Sequence, residues 1–174
     1  MMTRFIASLL LMASLAGCGY TTGSLLPPKY KKIYVDAFKN KIAYVESTDN
    51  RLYVPGLETT VRSSIIDRFL FDGNLKVADA SNPDLILHGS LVDIAQDDLR
   101  QDVNQNVQEY RIRIVVSLAM EDAQTHTLLW REPSFTGETT YFLSGPQSES
   151  QSAAIDAALT DLATRVVDRT VENW

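Results

Sequence analysis

The sequence predicts an α+β fold: a two-layer α/β sandwich, with two amphipathic helices on one face of a mixed, mainly antiparallel sheet. Three observations lead there. Glu109 to Met120 alternates apolar and polar residues for twelve positions, the mark of a strand with one face buried and one largely open. Two stretches, from Pro55 and from Ser148, carry apolar residues at helical spacing. The order strand, helix, several strands with hairpin connections, helix leaves one apolar sheet face to be covered by both helices.

The elements follow along the chain. Tyr30 to Phe38 alternates, with Ile33, Val35 and Ala37 on one side, and reads as the first strand. Asn40 to Asn50 is mixed and polar; it reads as a loop, or as a strand extended through Ile42, Tyr44 and Glu46. Pro55 suits the first position of a helix, where a missing N–H costs nothing. Leu57, Val61, Ile65 and Phe69 then form a stripe, widened by Ile66 and Leu70, and Gly73 is placed to stop the helix. Leu75 to Ala78 is a short strand, and Ser81-Asn82-Pro83-Asp84 a turn.

Leu85 to Ala95 is the third strand, with Leu85, Leu87, Gly89 and Leu91 facing one way. Gln96 to Gln108, rich in Asp, Asn and Gln, reads as a polar loop. The clearest strand follows: Tyr110, Ile112, Ile114, Val116, Leu118 and Met120 on its inner side, Glu109, Arg111, Arg113, Val115, Ser117 and Ala119 on its outer side. Glu121 to His126 is a hairpin loop. Thr127 to Glu132 returns as a strand, and Phe135 to Phe142 continues it after a break at Pro133. The last helix begins near Ser148, which has capping-box spacing to Gln151. Its inner face is Ile155, Leu159, Leu162, Val166 and Val171, filled in by Ala158, Ala163 and Val167, with Asp161 and Arg165 as an outer pair.

Composition narrows the function classes. The chain has 174 residues, 45% hydrophobic, enough for one domain with a core. A net charge of −6 speaks against non-specific nucleic-acid binding. One cysteine rules out an internal disulfide framework, and two histidines, His88 and His126, leave a Cys/His zinc site short of ligands. Asp97-Asp98 and Glu121-Asp122 are carboxylate pairs in polar loops and read as solvated turns. No phosphate-binding glycine loop or nucleophile elbow is present. The expectation is a binding or scaffold protein with no cofactor and no metal.

The N-terminus carries the sharpest signal. Arg4 precedes twelve residues, Phe5 to Ala16, of which ten are apolar. That is the length of a signal-peptide core and falls short of the roughly 20 residues of a spanning helix. Leu15-Ala16-Gly17-Cys18 follows and resembles the lipobox of bacterial lipoproteins. The resemblance implies a signal peptide over 1–17, cleavage before Cys18, a diacylglycerol on its sulfur and an acyl group on its new amine. Gly19 in place of Asp implies export onward to the outer membrane. Residues 18–29 then read as a lipidated tether and 30–174 as a single domain. Two or more acyl chains hold a protein stably, at about 0.8 kcal/mol per buried CH₂.

Further fragments resemble the lipopolysaccharide-assembly lipoprotein family, the LptE type. They are Cys18-Gly19-Tyr20, the first strand Ile33 to Asn40, the helix entry Pro55 to Val61, and the helix exit Phe71-Asp72-Gly73-Asn74-Leu75. Asp84 to Gly89, a hydrophobic run ending at Gly, and the strand Glu109 to Ile114, opening with Glu-Tyr, complete the set. The segment from Lys41 to Val54 departs from the pattern as an added loop or strand. The resemblance implies a non-enzymatic lipoprotein at the periplasmic face of the outer membrane. It would assemble with, and plug, the β-barrel translocon that inserts lipopolysaccharide into the outer leaflet, and would bind lipopolysaccharide itself. Arg100, Arg111 and Arg113 are then the candidate ligand residues, because lipopolysaccharide carries phosphates. A second account stays open: alternating arginines on an exposed strand simply keep that face solvated. Lys29, Lys31 and Lys32 form a small basic cluster past the tether, open to the same two accounts. Other functions weighed are a periplasmic lipoprotein that activates a peptidoglycan synthase, against which the short tether speaks, and a lipid-anchored hydrolase, for which no nucleophile and base pair is visible.

Overall fold

The structure is a computed structural model and describes residues 26–43 and 50–172. Cys18, the signal peptide and most of the tether lie outside the described residues, as does part of the segment between Lys41 and Val54.

The chain folds as strand β1 (Lys32–Val35), β2 (Lys39–Asn40), helix α1 (Leu57–Asp72), β3 (Lys76–Val77), β4 (Leu85–Gln101), β5 (Val107–Asp122), β6 (Thr127–Phe142) and helix α2 (Gln151–Val171). The sheet runs β3-β1-β4-β5-β6, with β2 beside β4. The pairings of β1 with β3 and β4, and of β2 with β4, are parallel; the two long ladders β4–β5 and β5–β6 are antiparallel. Both helices cover one sheet face, so the predicted two-layer α/β sandwich is the observed fold.

The core lies between those layers. Leu57, Val61, Ile65 and Phe69 of α1 are buried, as are Leu159, Leu162, Val166 and Val171 of α2. They pack on Ile112, Ile114, Val116, Leu118 and Met120 of β5, the predicted inner face. Leu70 and Phe71 are exposed, so the α1 stripe is narrower than the sequence suggests. Ile155 is only half-buried; Ala154, one residue earlier, is the fully buried position.

Several boundaries move, each for a local reason. Pro55 is not helical: Val54 to Leu57 is a turn closed by the Leu57 N–H to the Val54 carbonyl at 3.3 Å. Gly56 there has φ 72° and ψ 11°, the third position of a type II turn that follows proline. Gly73 ends α1 at φ 76°, as expected. The α2 cap is Ser150, whose hydroxyl accepts from the Ala153 N–H at 3.2 Å, and not Ser148. The first strand stops at Val35, so Ala37 is exposed and Phe38 turns inward over Gly89. A Cβ at Gly89 would overlap the Phe38 ring, which explains why the Leu85 to Gly89 run ends in glycine.

The largest correction concerns Gln96 to Gln108, which is no long loop. Strand β4 continues to Gln101 and the turn spans only residues 102–106, held by the Asp102 carboxylate accepting from the Asn104 and Asn106 N–H groups. A bulge between Leu91 and Asp93 shifts the alternation by one residue, so that Leu91 and Ile94 both face the core. Pro133 marks a second bulge, where β6 slips in register while remaining one strand. Residues 50–52 lie along β4: the Leu52 N–H donates to the Ile94 carbonyl and the Gln96 N–H to the Asn50 carbonyl. Residues 50–52 thus cover what would be an open edge of β4.

Candidate functional site

The sheet face away from the helices is the surface where function was sought. Alternation on β5 aims Arg111 and Arg113 there, with Val115, Ser117 and Ala119 following toward the other end. These outer residues are half-buried.

The three predicted arginines are not equivalent. Arg113 Nε donates to Asp97 Oδ2 at 2.7 Å, and Asn50 Nδ2 donates to the other carboxylate oxygen at 2.9 Å. The Arg113 guanidinium holds the Asp97 carboxyl below its usual range, and Asp97 in turn raises Arg113. Beside them Arg51 Nε forms an ion pair with Asp93 at 3.2 Å. Arg100 lies 3.5 Å from Glu109 and 5.7 Å from the centre of the Phe142 ring. Glu109 is buried, flanked by Arg100 on β4 and Phe142 on β6, which corrects its placement on a solvated face. Arg111 differs: its Nε is buried with no hydrogen-bond partner among the described residues.

Arg111 and Arg113 are therefore adjacent on one surface, whereas Arg100 sits further along near the β4–β5 turn in its own cluster. Asp97 is the residue sequence reading misplaced; taken as a turn carboxylate, it is the counter-ion of Arg113. The signal was present, since Asp97 falls in a polar run that still alternates, but it was hidden by the bulge.

A second group of polar residues lies at the opposite end of the same face. His88 Nδ1 is 3.1 Å from Asp36 Oδ2 and His88 Nε2 is 3.4 Å from Glu121, whose other oxygen meets His126 Nδ1 at 2.7 Å. His126 is the first influence keeping the Glu121 carboxyl low, with His88 adding to it. Among the described residues no cluster of His, Cys, Asp or Glu has the geometry of a metal site. Lys29 of the basic cluster is tied down: its ammonium contacts Asp122 at 3.2 Å and rests over the Tyr30 ring. Asp122 also accepts from the Tyr30 hydroxyl at 2.8 Å, the main cause of its strongly lowered pKa, with backbone N–H groups of Thr125 and Gln124 helping.

What this face offers, among the described residues, is a lattice of charge pairs on paired strands. Such a surface positions a partner or an anionic ligand. A model of the lipopolysaccharide-assembly family LptE matches residues 30–171. The chain belongs to the LptE family. Among curated proteins none matches. Solved structures share the fold. Protein XCC0632 from Xanthomonas campestris is 15% identical, with 87% of each chain covered and a TM-score of 0.57. A PelC dodecamer from Paraburkholderia phytofirmans is 17% identical over 87% of this chain and 96% of that one, with a TM-score of 0.50. A hypothetical protein from Chlamydia trachomatis is 10% identical over 80% of this chain and 95% of that one, also at 0.50. At these identities the likeness is one of fold alone. The LptE match begins at the first residue of the predicted domain and ends at the last residue of α2, so it spans every element described above.

Proposed function

We propose that this LptE-family chain is a lipoprotein of the outer membrane, anchored by a diacylglycerol and an acyl chain on Cys18 and facing the periplasm. In this reading it assembles with, and plugs, the β-barrel translocon that delivers lipopolysaccharide to the outer leaflet, and it binds lipopolysaccharide without catalysis. The observation that carries the reading is the family match across the whole domain. The physics agrees with it. A barrel lumen is polar, and the sheet face opposite the helices carries many charged and polar side chains, among them Asp97, Arg113 and His88. The anchor would confine the domain to one leaflet and raise its effective concentration near the barrel.

Arg111 and Arg113 both lie beside Asp97, and Arg100 faces Glu109, so a phosphate on this end of the face would share each guanidinium with a carboxylate. The test is affinity purification of the tagged chain from outer membranes. A large β-barrel protein is expected in the eluate; recovery of cell-wall synthases alone would overturn the reading. Labelled palmitate should enter the parent chain and not the Cys18→Ala variant, and label in that variant would remove the anchor.

A further inference from the structure

We propose that the trough floored by Ser90, Ser117 and Ala119 and walled by Lys39, Lys41 and Arg131 is a binding site for a phosphate or diphosphate group. It lies on the outer sheet face, several residues along β5 from Arg113, and encloses about 370 Å³.

The pairing registers build it. Lys39 sits opposite Ser90, Ser90 opposite Ser117, and Ala119 opposite Arg131. Small side chains therefore occupy the two central strands, while long cations occupy the strands on either side. From β2 to β6 is three strand spacings, about 14 Å. Lys41 follows Lys39 at period two and shares its side. The β6 bulge at Pro133, which closes the far wall, adds local twist.

The charges favour an anion. The side chains of Lys39, Lys41 and Arg131 have no ion-pair or hydrogen-bond partner among the described residues. Elsewhere on this face Arg51, Arg100 and Arg113 each meet a carboxylate. The trough has one lining carboxylate, Asp36, and His88 holds it at 3.1 Å. The Ser90 and Ser117 hydroxyls on the floor likewise make no side-chain hydrogen bond among the described residues, which leaves two neutral donors beneath three cationic ones. In a chain of net charge −6, three unpaired cations around a concave, donor-lined floor match a tetrahedral oxyanion bearing more than one charge. The site asks for phosphate chemistry and not for lipopolysaccharide as such, so it goes beyond the reading above and survives that reading's failure.

The test titrates inorganic pyrophosphate into the full chain in detergent and follows backbone amide resonances. Saturable shifts at Ser90, Ser117 and Ala119 are expected. Lys39→Gln, Lys41→Gln and Arg131→Gln together should weaken binding at least tenfold. Arg165→Gln, on the last helix across the sheet from the trough, should leave it within about twofold. All three trough cations are exposed, so unchanged thermal melting will show that the triple variant is folded. A second arm uses phosphatidylglycerol and phosphatidylcholine vesicles. Binding to the anionic vesicles that the triple variant loses assigns the phosphate to a lipid headgroup; saturable pyrophosphate binding assigns it to the free group. Binding to neither probe, or equal binding by the triple variant, overturns the proposal.

Discussion

Gly137 is the position where one methyl group should tell most about how the layers are held. It lies on β6 beneath α2, and an added Cβ would stand 2.6 Å from both the Cα and the N of Leu162, and would overlap its Cβ. Ordinary carbon contacts are about 3.5–4.0 Å, so the obstacle is helix backbone and no rotamer change relieves it. Gly137→Ala must push α2 off the edge strand. Overpacking of this kind costs about 1–3 kcal/mol. The retreat also stretches the 3.0 Å bond from the Glu138 N–H to the Asp161 carboxylate. That bond is exposed, and its loss adds about 0.5–1.5 kcal/mol. Urea denaturation followed by far-UV circular dichroism should therefore show a loss of roughly 2–4 kcal/mol, or roughly 5–15 °C in Tm for a domain of this size. Leu162→Ala should not rescue it, because alanine keeps the clashing Cβ, Cα and N. Gly89→Ala is the contrast, since there the obstacle is the Phe38 ring, and Phe38→Ala should relieve it. A Gly137→Ala protein within about 0.5 kcal/mol of the parent, or one rescued by Leu162→Ala, would refute the packing argument.

Three further outcomes are expected. Asp122 is held below its ordinary pKa by the Tyr30 hydroxyl first and backbone N–H groups second, so its contribution is full above the unfolded value near about 3.9 and is lost as pH falls through the folded value. Urea midpoints of Asp122→Asn should fall less steeply below about pH 4 than those of the parent, and be lower at pH 7; parallel acid limbs would count against it. Arg113→Ala should cost about 1 kcal/mol or less, because its pair with Asp97 is partly exposed, at 40% and 32% of the two side chains, and solvent screens it. Arg111→Glu with Arg113→Glu should weaken binding to lipopolysaccharide micelles in a co-sedimentation assay while far-UV spectra stay unchanged, and undiminished binding would remove both as ligand residues.

The legible parts of the fold were those where burial and period agree. The β5 face from Ile112 to Met120 and the α1 stripe from Leu57 to Phe69 each repeat one spacing against one partner layer, so sequence pattern maps onto contact. The illegible parts were those where a non-local pairing overrode local chemistry. Residues 96–101 carry the composition of a loop, yet they are strand because β5 pairs with all of them but Leu99, at a bulge, and supplies opposite charges, Arg113 for Asp97 and Glu109 for Arg100. The Leu91 bulge then hid that continuation by breaking the alternation. At the candidate site Arg111 and Arg113 were placed on the correct face, but no sequence rule says which carboxylate each meets; that depends on registry to within one residue. The lysine–arginine trough was invisible for the same reason, since Lys39 and Arg131 meet only across three strands.

Charge placement on the outer face bears on what the surface is for. A face meant only to stay wet gains most from cations and carboxylates mixed at short range, and the Asp93, Asp97 and Glu109 end has that arrangement. The other end departs from it. Lys39, Lys41 and Arg131 converge on small residues with a single, already engaged carboxylate between them, and like charges so arranged repel one another in the empty protein. All three are exposed, so salt screens much of that repulsion, and an anion between them would remove the rest. A face that serves only to stay wet does not call for that grouping; a phosphate site does.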